Sequence, residues 1–206
     1  MATIDVFGRI DDDLVREIRR AVSRTPQAEE LNLRIASPGG QLSAGITAHN
    51  VLRGAPNKVT AYMEGDAMSA ASLLVCAAEY VEMPSNTLLM VHDPWLPYMG
   101  PLTIEESGRV HNYLSATKKQ AVEVYHDRTK VDRQRLSDLM FAETYFQADE
   151  ALSLGFVNNV VSESRTVQNR PVDDYPVRDK DKLAQALGQR RIPRDVQSLL
   201  HSIGIE

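Results

Sequence analysis

Residues 68–78 restrict the fold more than any other stretch, because they contain only apolar side chains and the two hydroxyls of Ser69 and Ser72. Their length and composition predict a helix, and a helix without a polar face has to be enclosed by other elements on all sides. Residues 58–63 alternate as a strand does, and short apolar runs follow the helix. The stretch therefore predicts the central helix of a layered α/β domain, with Ser69 in its first turn.

The first half of the chain alternates between strand patterns and helix patterns. After the capping residues 11–13, Leu14, Ile18 and Val22 recur at the spacing of one helix face. We predict strands at 4–10, 31–35, 58–63, 80–83 and 87–91, and helices after residue 11, at 42–52 and at 68–78. This order indicates an α/β fold in which helices pack on sheets.

The second half is mostly helical and ends in a polar tail. Residues 94–101 predict a loop, after which a long helix with a narrow apolar stripe runs from Thr103 to Arg128. Such a helix either projects to contact a neighbouring subunit or lies on its own core. Shorter helices are predicted at 133–141 and 149–155, and a last strand at 156–161. Residues 1–161 then form one domain, and residues 162–206 form a C-terminal extension that opens with a linker-like segment.

Composition excludes several classes of function. The net charge is −5 with the two signs interspersed, so no basic block exists to neutralise nucleic-acid phosphates. The single cysteine, Cys76, rules out an internal disulfide and is expected to be a buried hydrophobe. No signal peptide or membrane span is evident, so we expect a cytoplasmic protein. Histidine spacing without an HxH or HExxH pair predicts no metal site, and we expect no cofactor.

Three short patterns, in order, point to hydrolytic chemistry. Ser37-Pro38-Gly39-Gly40 predicts a turn between a strand and a helix, and its glycines allow a backbone N–H to approach a ligand. Ser69 opens the apolar helix, whose N-terminus favours developing negative charge, and His92 ends an apolar strand. A serine that attacks, a histidine that takes its proton and backbone donors for an oxyanion are the parts of a serine hydrolase.

Each pattern also has a structural explanation. Ser69 could be only a helix cap, His92 a structural histidine, and the two glycines only a turn. Ser72 is a rival nucleophile, although its position one turn further into the helix favours a bond from its hydroxyl to the backbone. The other histidines are weaker candidates, because they fall in predicted helices or in the tail: His49, His111, His126 and His201.

Together the three patterns resemble the ClpP family of serine peptidases, within the wider crotonase-like fold, over residues 7–161. The family pattern is SPGG, then GxAxS at the start of a helix, then M-[IV]-H-x-P, and the chain has all three in this order. The resemblance implies an α/β fold of repeated β-β-α units with a projecting long helix. It also implies that Ser69 is the nucleophile, that His92 is the general base, and that the N–H groups of Gly40 and Ala70 form the oxyanion hole.

The resemblance places Glu143 where the family has its catalytic aspartate, shortly before an aromatic residue and a helix that ends in glycine. Glutamate is one methylene longer but can still hold an imidazole tautomer, so a Ser69–His92–Glu143 triad is implied. Asp138 and Asn158 are weaker alternatives. An asparagine could hydrogen-bond to the histidine but could not offset its positive charge.

The chain departs from the housekeeping members of the family at three places. Its first strand begins close to Met1, so we expect that the segment that helps to dock an unfoldase ATPase is missing. Phe141-Ala142 replaces a charged pair that those enzymes use between stacked rings, which puts a double ring in doubt. Residues 95–100 replace a glycine-rich strand that pairs with substrate, and Pro97 cannot donate to a ladder. We expect the substrate to contact Gly39 of the first motif and, in this segment, Trp95, Leu96 and Tyr98.

His92-Asp93-Pro94-Trp95 and Ala142-Glu143-Thr144 resemble the ClpP-like proteases of phages and prophages, which process capsid or scaffold protein without an ATPase. The resemblance implies an ATP-independent serine endopeptidase that forms a homo-oligomeric ring in the host cytoplasm or inside the prohead. The alternatives are a non-enzymatic assembly protein on the same fold and a housekeeping-type homologue that works with an unfoldase. A crotonase-type acyl-CoA enzyme would not need Ser69 with His92, and no lysine between Lys58 and Lys118 is available for a Ser-Lys peptidase.

Overall fold

The computed structural model describes residues 2–97 and 100–162, so the predicted C-terminal extension lies outside the described residues apart from Ser162, and Tyr98 does too. Seven strands and six helices occur in this part of the chain. In order they are β1 (Ala2–Ile10), α1 (Asp12–Arg24), β2 (Leu31–Gly40), α2 (Leu42–Arg53), β3 (Val59–Met68), α3 (Ala70–Ala77), β4 (Tyr80–Pro84), β5 (Leu89–Val91), α4 (Ile104–Thr129), α5 (Arg133–Phe141), β6 (Thr144–Phe146), α6 (Ala148–Ser153) and β7 (Asn159–Val161).

One mixed sheet contains all seven of these strands. β1, β2, β3, β4 and β7 run parallel in that order. Parallel neighbours need crossover connections, which α1, α2 and α3 supply for the first four strands. β5 pairs in parallel with the carboxyl end of β3, and β6 pairs antiparallel with β5. The α/β class predicted from the sequence is confirmed: βα units alternate as far as β4, and two successive strands, β4 and β5, precede α4.

The central helix α3 is enclosed, as its composition predicts. Each of its residues is at most 5% exposed, and the helix packs against α2, α4, β2 and β3. α1 directs Leu14, Val15 and Ile18 into the same core. The predicted cap of α1 is also confirmed, because the Asp11 carboxylate accepts hydrogen bonds from the N–H groups of Asp13 and Leu14.

Two strands extend further along the chain than predicted. β2 continues through Gly39 and Gly40, which pair with Arg9 and Ile10 of β1, and β3 continues to Met68 instead of ending near residue 63. A Cβ atom on Gly40 would lie 2.2 Å from the Ile10 carbonyl oxygen, so this glycine permits two strands to approach closely rather than a change of chain direction. β6, at three residues, is too short to show an alternating pattern and corresponds to no predicted strand.

The long helix α4 agrees with its prediction. Thr103 begins it through a capping box with Glu106, and its 26 residues span about 39 Å at 1.5 Å per residue. Its buried residues all lie in its C-terminal third: Ala121, Val122, Val124 and Tyr125. Ile104, at the other end, is 95% exposed. Most of the helix therefore presents its surface away from the core of the described domain.

Candidate active site

Ser69 and His92 follow two neighbouring parallel strands. In the register of β3 and β5, Met68 pairs with Met90, and the Ser69 N–H donates a 2.9 Å hydrogen bond to the Met90 carbonyl. Because parallel strands end at the same edge of a sheet, the residues that follow β3 and β5 come together there. The sheet, rather than a flexible loop, thus sets the distance between the two side chains.

The two side chains are in hydrogen-bond contact, with 2.6 Å between Ser69 Oγ and His92 Nε2. Both residues are partly exposed, so a substrate can reach the hydroxyl. A hydroxyl that donates to a neutral imidazole nitrogen can transfer its proton as it attacks an electrophile. This geometry matches a nucleophile and its general base.

The backbone of Ser69 adopts an unusual conformation, with φ 54° and ψ −125°. A positive φ is uncommon for a residue with a side chain, and such strain concentrates at functional sites. It turns the chain sharply from β3 into α3, so that Ser69 is the N-cap residue yet makes no side-chain cap hydrogen bond. The Ser69 hydroxyl therefore contacts His92 and does not cap the helix.

The predicted oxyanion donors stand on either side of the serine. Ala70 is the first residue of α3, where a backbone N–H has no partner within the helix. Gly39 lies directly against it, because a Cβ atom there would be 3.0 Å from Ala70 N and 2.7 Å from Ser69 Cβ. The Gly39 N–H donates to Ser37 Oγ at 3.1 Å, so this amide already has a partner within the protein. Gly40 follows at the end of β2.

Glu143 lies one position beyond the last pair of the β5–β6 ladder. Val91 pairs with Thr144, and continuing this antiparallel register by one residue sets His92 opposite Glu143. Glu143 has a positive φ of 49°, and its Oε1 accepts a 3.0 Å hydrogen bond from the Tyr145 hydroxyl. The alternatives are engaged elsewhere: Asp138 accepts from Gln134, and Asn158 accepts from the Val81 N–H and from Arg128.

The segment after His92 is held by hydrogen bonds to the helices α4 and α5. The Asp93 N–H donates to the Met140 carbonyl of α5 at 3.0 Å, and Lys118 of α4 donates to the Asp93 carboxylate at 3.0 Å. These contacts hold the residue next to the histidine, and sequence reasoning missed them because partners 25 and 47 residues apart leave no local pattern. Trp95 and Leu96 follow with exposed side chains.

Other candidate nucleophiles and bases are unsuited to the role. Ser72 is fully buried, and burial raises the pKa of the Cys76 thiol to about 12. His126 Nδ1 lies 2.7 Å from the Val131 carbonyl, and desolvation lowers the pKa of His49. His201 lies outside the described residues.

Within residues 2–97 and 100–162, no group of three acidic, histidine or cysteine side chains could hold a metal ion, and no helix has the length and apolarity to cross a bilayer.

Known proteins resemble this chain over the part that contains the site. The family model described as Clp protease matches residues 2–164. ATP-dependent Clp protease proteolytic subunit 3 of Rhodococcus jostii (strain RHA1) is 26% identical over 166 residues, which cover 78% of this chain and 81% of the relative. The ATP-dependent Clp protease proteolytic subunit of Deinococcus radiodurans is 24% identical over 163 residues, which cover 78% of each chain. The range matched by the family model includes Gly39, Ser69, His92 and Glu143.

Proposed function

Because the chain belongs to the Clp protease family, a family of serine peptidases that form oligomeric rings, we propose that Ser69 and His92 are its nucleophile and general base. The observation that carries this proposal is the 2.6 Å contact between Ser69 Oγ and His92 Nε2. The strained backbone of Ser69 and the N-terminus of α3 beside it support the same assignment.

Peptide hydrolysis on this site proceeds through an acyl-enzyme. His92 Nε2 accepts the hydroxyl proton as Ser69 Oγ attacks the peptide carbonyl, and the N–H groups of Gly40 and Ala70 stabilise the oxyanion. The imidazolium then protonates the leaving amine, and the C–N bond breaks. A water molecule, deprotonated by His92, attacks the ester and releases the acid. The imidazolium then gives the water's proton to Ser69 Oγ, which replaces the proton that left with the amine, so the enzyme completes the cycle unchanged.

Glu143 is proposed to orient His92 and to stabilise its protonated form. We expect Glu143→Gln to lower kcat about 10²-fold, because an amide cannot offset the imidazolium charge. Removal of the nucleophile lowers kcat far more. Glu143→Asp should retain more activity than Glu143→Gln, since it keeps the charge. The measurement is kcat for a fluorogenic peptide. Asp138→Asn is the matched variant, and a larger loss from it than from Glu143→Gln would assign the acid to Asp138.

We further propose that the enzyme is an endopeptidase that cuts phage capsid or scaffold protein without an ATPase. The support is the likeness of residues 92–95 and 142–144 to the phage proteases, together with Phe141, an 81% exposed apolar side chain where the housekeeping enzymes have charge. The exposed part of α4 is proposed to contact the next subunit of a homo-oligomeric ring. This activity would take place in the host cytoplasm or inside the prohead.

One observation favours a second candidate function. Both relatives are named as proteolytic subunits of ATP-dependent proteases. A peptidase of that kind would degrade folded proteins only with an unfoldase and ATP, while it would still cut short peptides alone. The two candidates therefore differ in their action on protein substrates rather than on peptides.

The test combines a covalent probe with a protein substrate. Purified protein is treated with a fluorophosphonate, and a single adduct is expected on the peptide that contains Ser69. A mixture of phage capsid and scaffold proteins is then incubated with the enzyme without nucleotide, and intact-mass spectrometry should show discrete fragments. Fragments that form only after addition of an unfoldase and ATP would support the second candidate. Absence of any adduct on assembled protein would overturn both and leave a non-enzymatic assembly role.

A further inference from the structure

Two buried hydroxyls connect the long helix α4 to the backbone of the candidate nucleophile. The Tyr125 hydroxyl lies 2.7 Å from Ser72 Oγ, and Ser72 Oγ lies 2.6 Å from the Ser69 carbonyl oxygen. Tyr125 is 2% exposed and Ser72 is 0% exposed. Neither hydroxyl takes part in the mechanism described above, yet the chain of contacts ends one residue from the proposed oxyanion donor.

Chemistry determines the direction of both hydrogen bonds. A carbonyl oxygen can only accept, so the Ser72 hydroxyl has to donate to the Ser69 carbonyl. Its oxygen is then free to accept from the Tyr125 O–H. Burial also raises the pKa of Tyr125, so this residue stays a neutral donor. The Ser69 carbonyl accepts a second hydrogen bond, of 3.0 Å, from the Ser72 N–H.

The Ser69 carbonyl and the Ala70 N–H belong to the same peptide group. In a planar trans peptide these two bonds point in opposite directions, so the partners of the carbonyl set the direction of the N–H. Here the carbonyl is held toward the helix interior by Ser72. The Ala70 amide is thereby directed to the other side, where the missing side chain of Gly39 leaves space. The hydroxyl chain thus acts on the orientation of the peptide that has to stabilise the oxyanion.

We infer that Ser72 and Tyr125 are positioning residues that orient the Ser69–Ala70 peptide so that the Ala70 N–H faces the oxyanion. This inference rests on the proposed function, since it assigns a purpose to the peptide that follows the nucleophile. It also links the site to α4, most of whose surface faces away from the core of the described domain. A contact that moved the end of α4 would act on the oxyanion donor through Tyr125.

Tyr125→Phe and Ser72→Ala remove one oxygen atom each and test this inference. The ring of Tyr125 packs edge-on against Phe156 at 5.8 Å, and a phenylalanine keeps that contact. Loss of a full oxyanion donor costs about 10²–10³-fold, so a misoriented donor is expected to lower kcat about 10-fold with KM unchanged. Affinity for a peptide boronate, whose tetrahedral adduct on Ser69 places an oxygen in the oxyanion hole, should fall by the same factor. In a Ser72→Ala background, Tyr125→Phe should have no further effect, because both act through one carbonyl.

Phe156→Leu is the matched control, because it disturbs the same core without removing a hydroxyl, and it should lower Tm while leaving kcat unchanged. Wild-type kcat and boronate affinity in Tyr125→Phe would overturn the inference, as would losses that are independent and multiply in the double variant. A fall in Tm for Tyr125→Phe with no change in kcat would show that the contact between Ser72 and Tyr125 is only structural, and would also overturn the inference. If the wild-type protein forms neither a fluorophosphonate adduct nor a boronate complex, the proposed function itself fails.

Discussion

Ser69→Ala is expected to abolish peptide hydrolysis, with a loss in kcat of about 10⁶-fold, and His92→Ala is expected to cost nearly as much. The reason is that the 2.6 Å contact makes the hydroxyl and the imidazole one chemical unit. An unpaired serine hydroxyl is a weak nucleophile at neutral pH, and a histidine without the serine has nothing to deprotonate but water. The measurement is kcat for a fluorogenic peptide, together with labelling by a fluorophosphonate.

The double variant distinguishes a catalytic pair from two independent contributions. Ser69→Ala/His92→Ala should be no slower than either single variant, because removal of one member already removes the function of the unit. Ser23→Ala, on the exposed surface of α1, is the matched control and should keep the wild-type rate. Effects that multiply in the double variant, or a probe adduct that persists in Ser69→Ala, would contradict the assignment.

Gly39→Ala is expected to lower activity about 10³-fold and to destabilise the protein. A Cβ atom at this position would lie 2.6 Å from the Met68 carbonyl oxygen and 2.7 Å from Ser69 Cβ. No rotamer relieves such a contact, since a Cβ atom is attached to the backbone, so the turn that presents Ser69 and Ala70 has to move. Displacement of a nucleophile and an oxyanion donor by about 1 Å can cost 10²-fold or more. Peptidase rate and Tm are measured together.

Gly8→Ala separates the effect of the contact from that of backbone conformation. Gly8 and Gly39 have similar φ values, 76° and 89°, but no atom lies within 4 Å of a Cβ at Gly8. Gly8→Ala should therefore cost only the conformational strain, about 1–2 kcal/mol, with activity near the wild-type value. If Gly39→Ala loses no more activity than Gly8→Ala, the close packing of β2 against the serine turn is irrelevant to catalysis.

The order of the motifs predicts which residues form the candidate site. Ser69 and His92 each follow an apolar run, and in an α/β fold the residues that follow neighbouring parallel strands meet at one edge of the sheet. The enclosed helix α3 was equally predictable, because side chains that are apolar on every face exclude a position at the surface. Both conclusions use local composition and a general rule of topology, which is why they could be reached without knowing the structure.

Several features could not be predicted, and their causes are physical. The Gly39-Gly40 pair predicts a turn by local rules but lies in a strand, because the space available to Gly40 is set by Ile10, a neighbour 30 positions earlier. The antiparallel strand β6, which sets Glu143 opposite His92, has three residues and no readable period. Pairing with β5, rather than its own propensity, makes this segment a strand.

The sequence by itself determined the fold class, the buried helix α3, the cap of α1, the long helix α4, and the residues that we propose for hydrolytic chemistry. All of these depend on the type and spacing of residues within one segment. Only the tertiary structure decided that Ser69 Oγ meets His92 Nε2, that Lys118 holds Asp93, and that Tyr125 reaches the serine through Ser72. Each of these contacts joins segments 23 to 53 residues apart, and such distances are set by the packing of the whole domain.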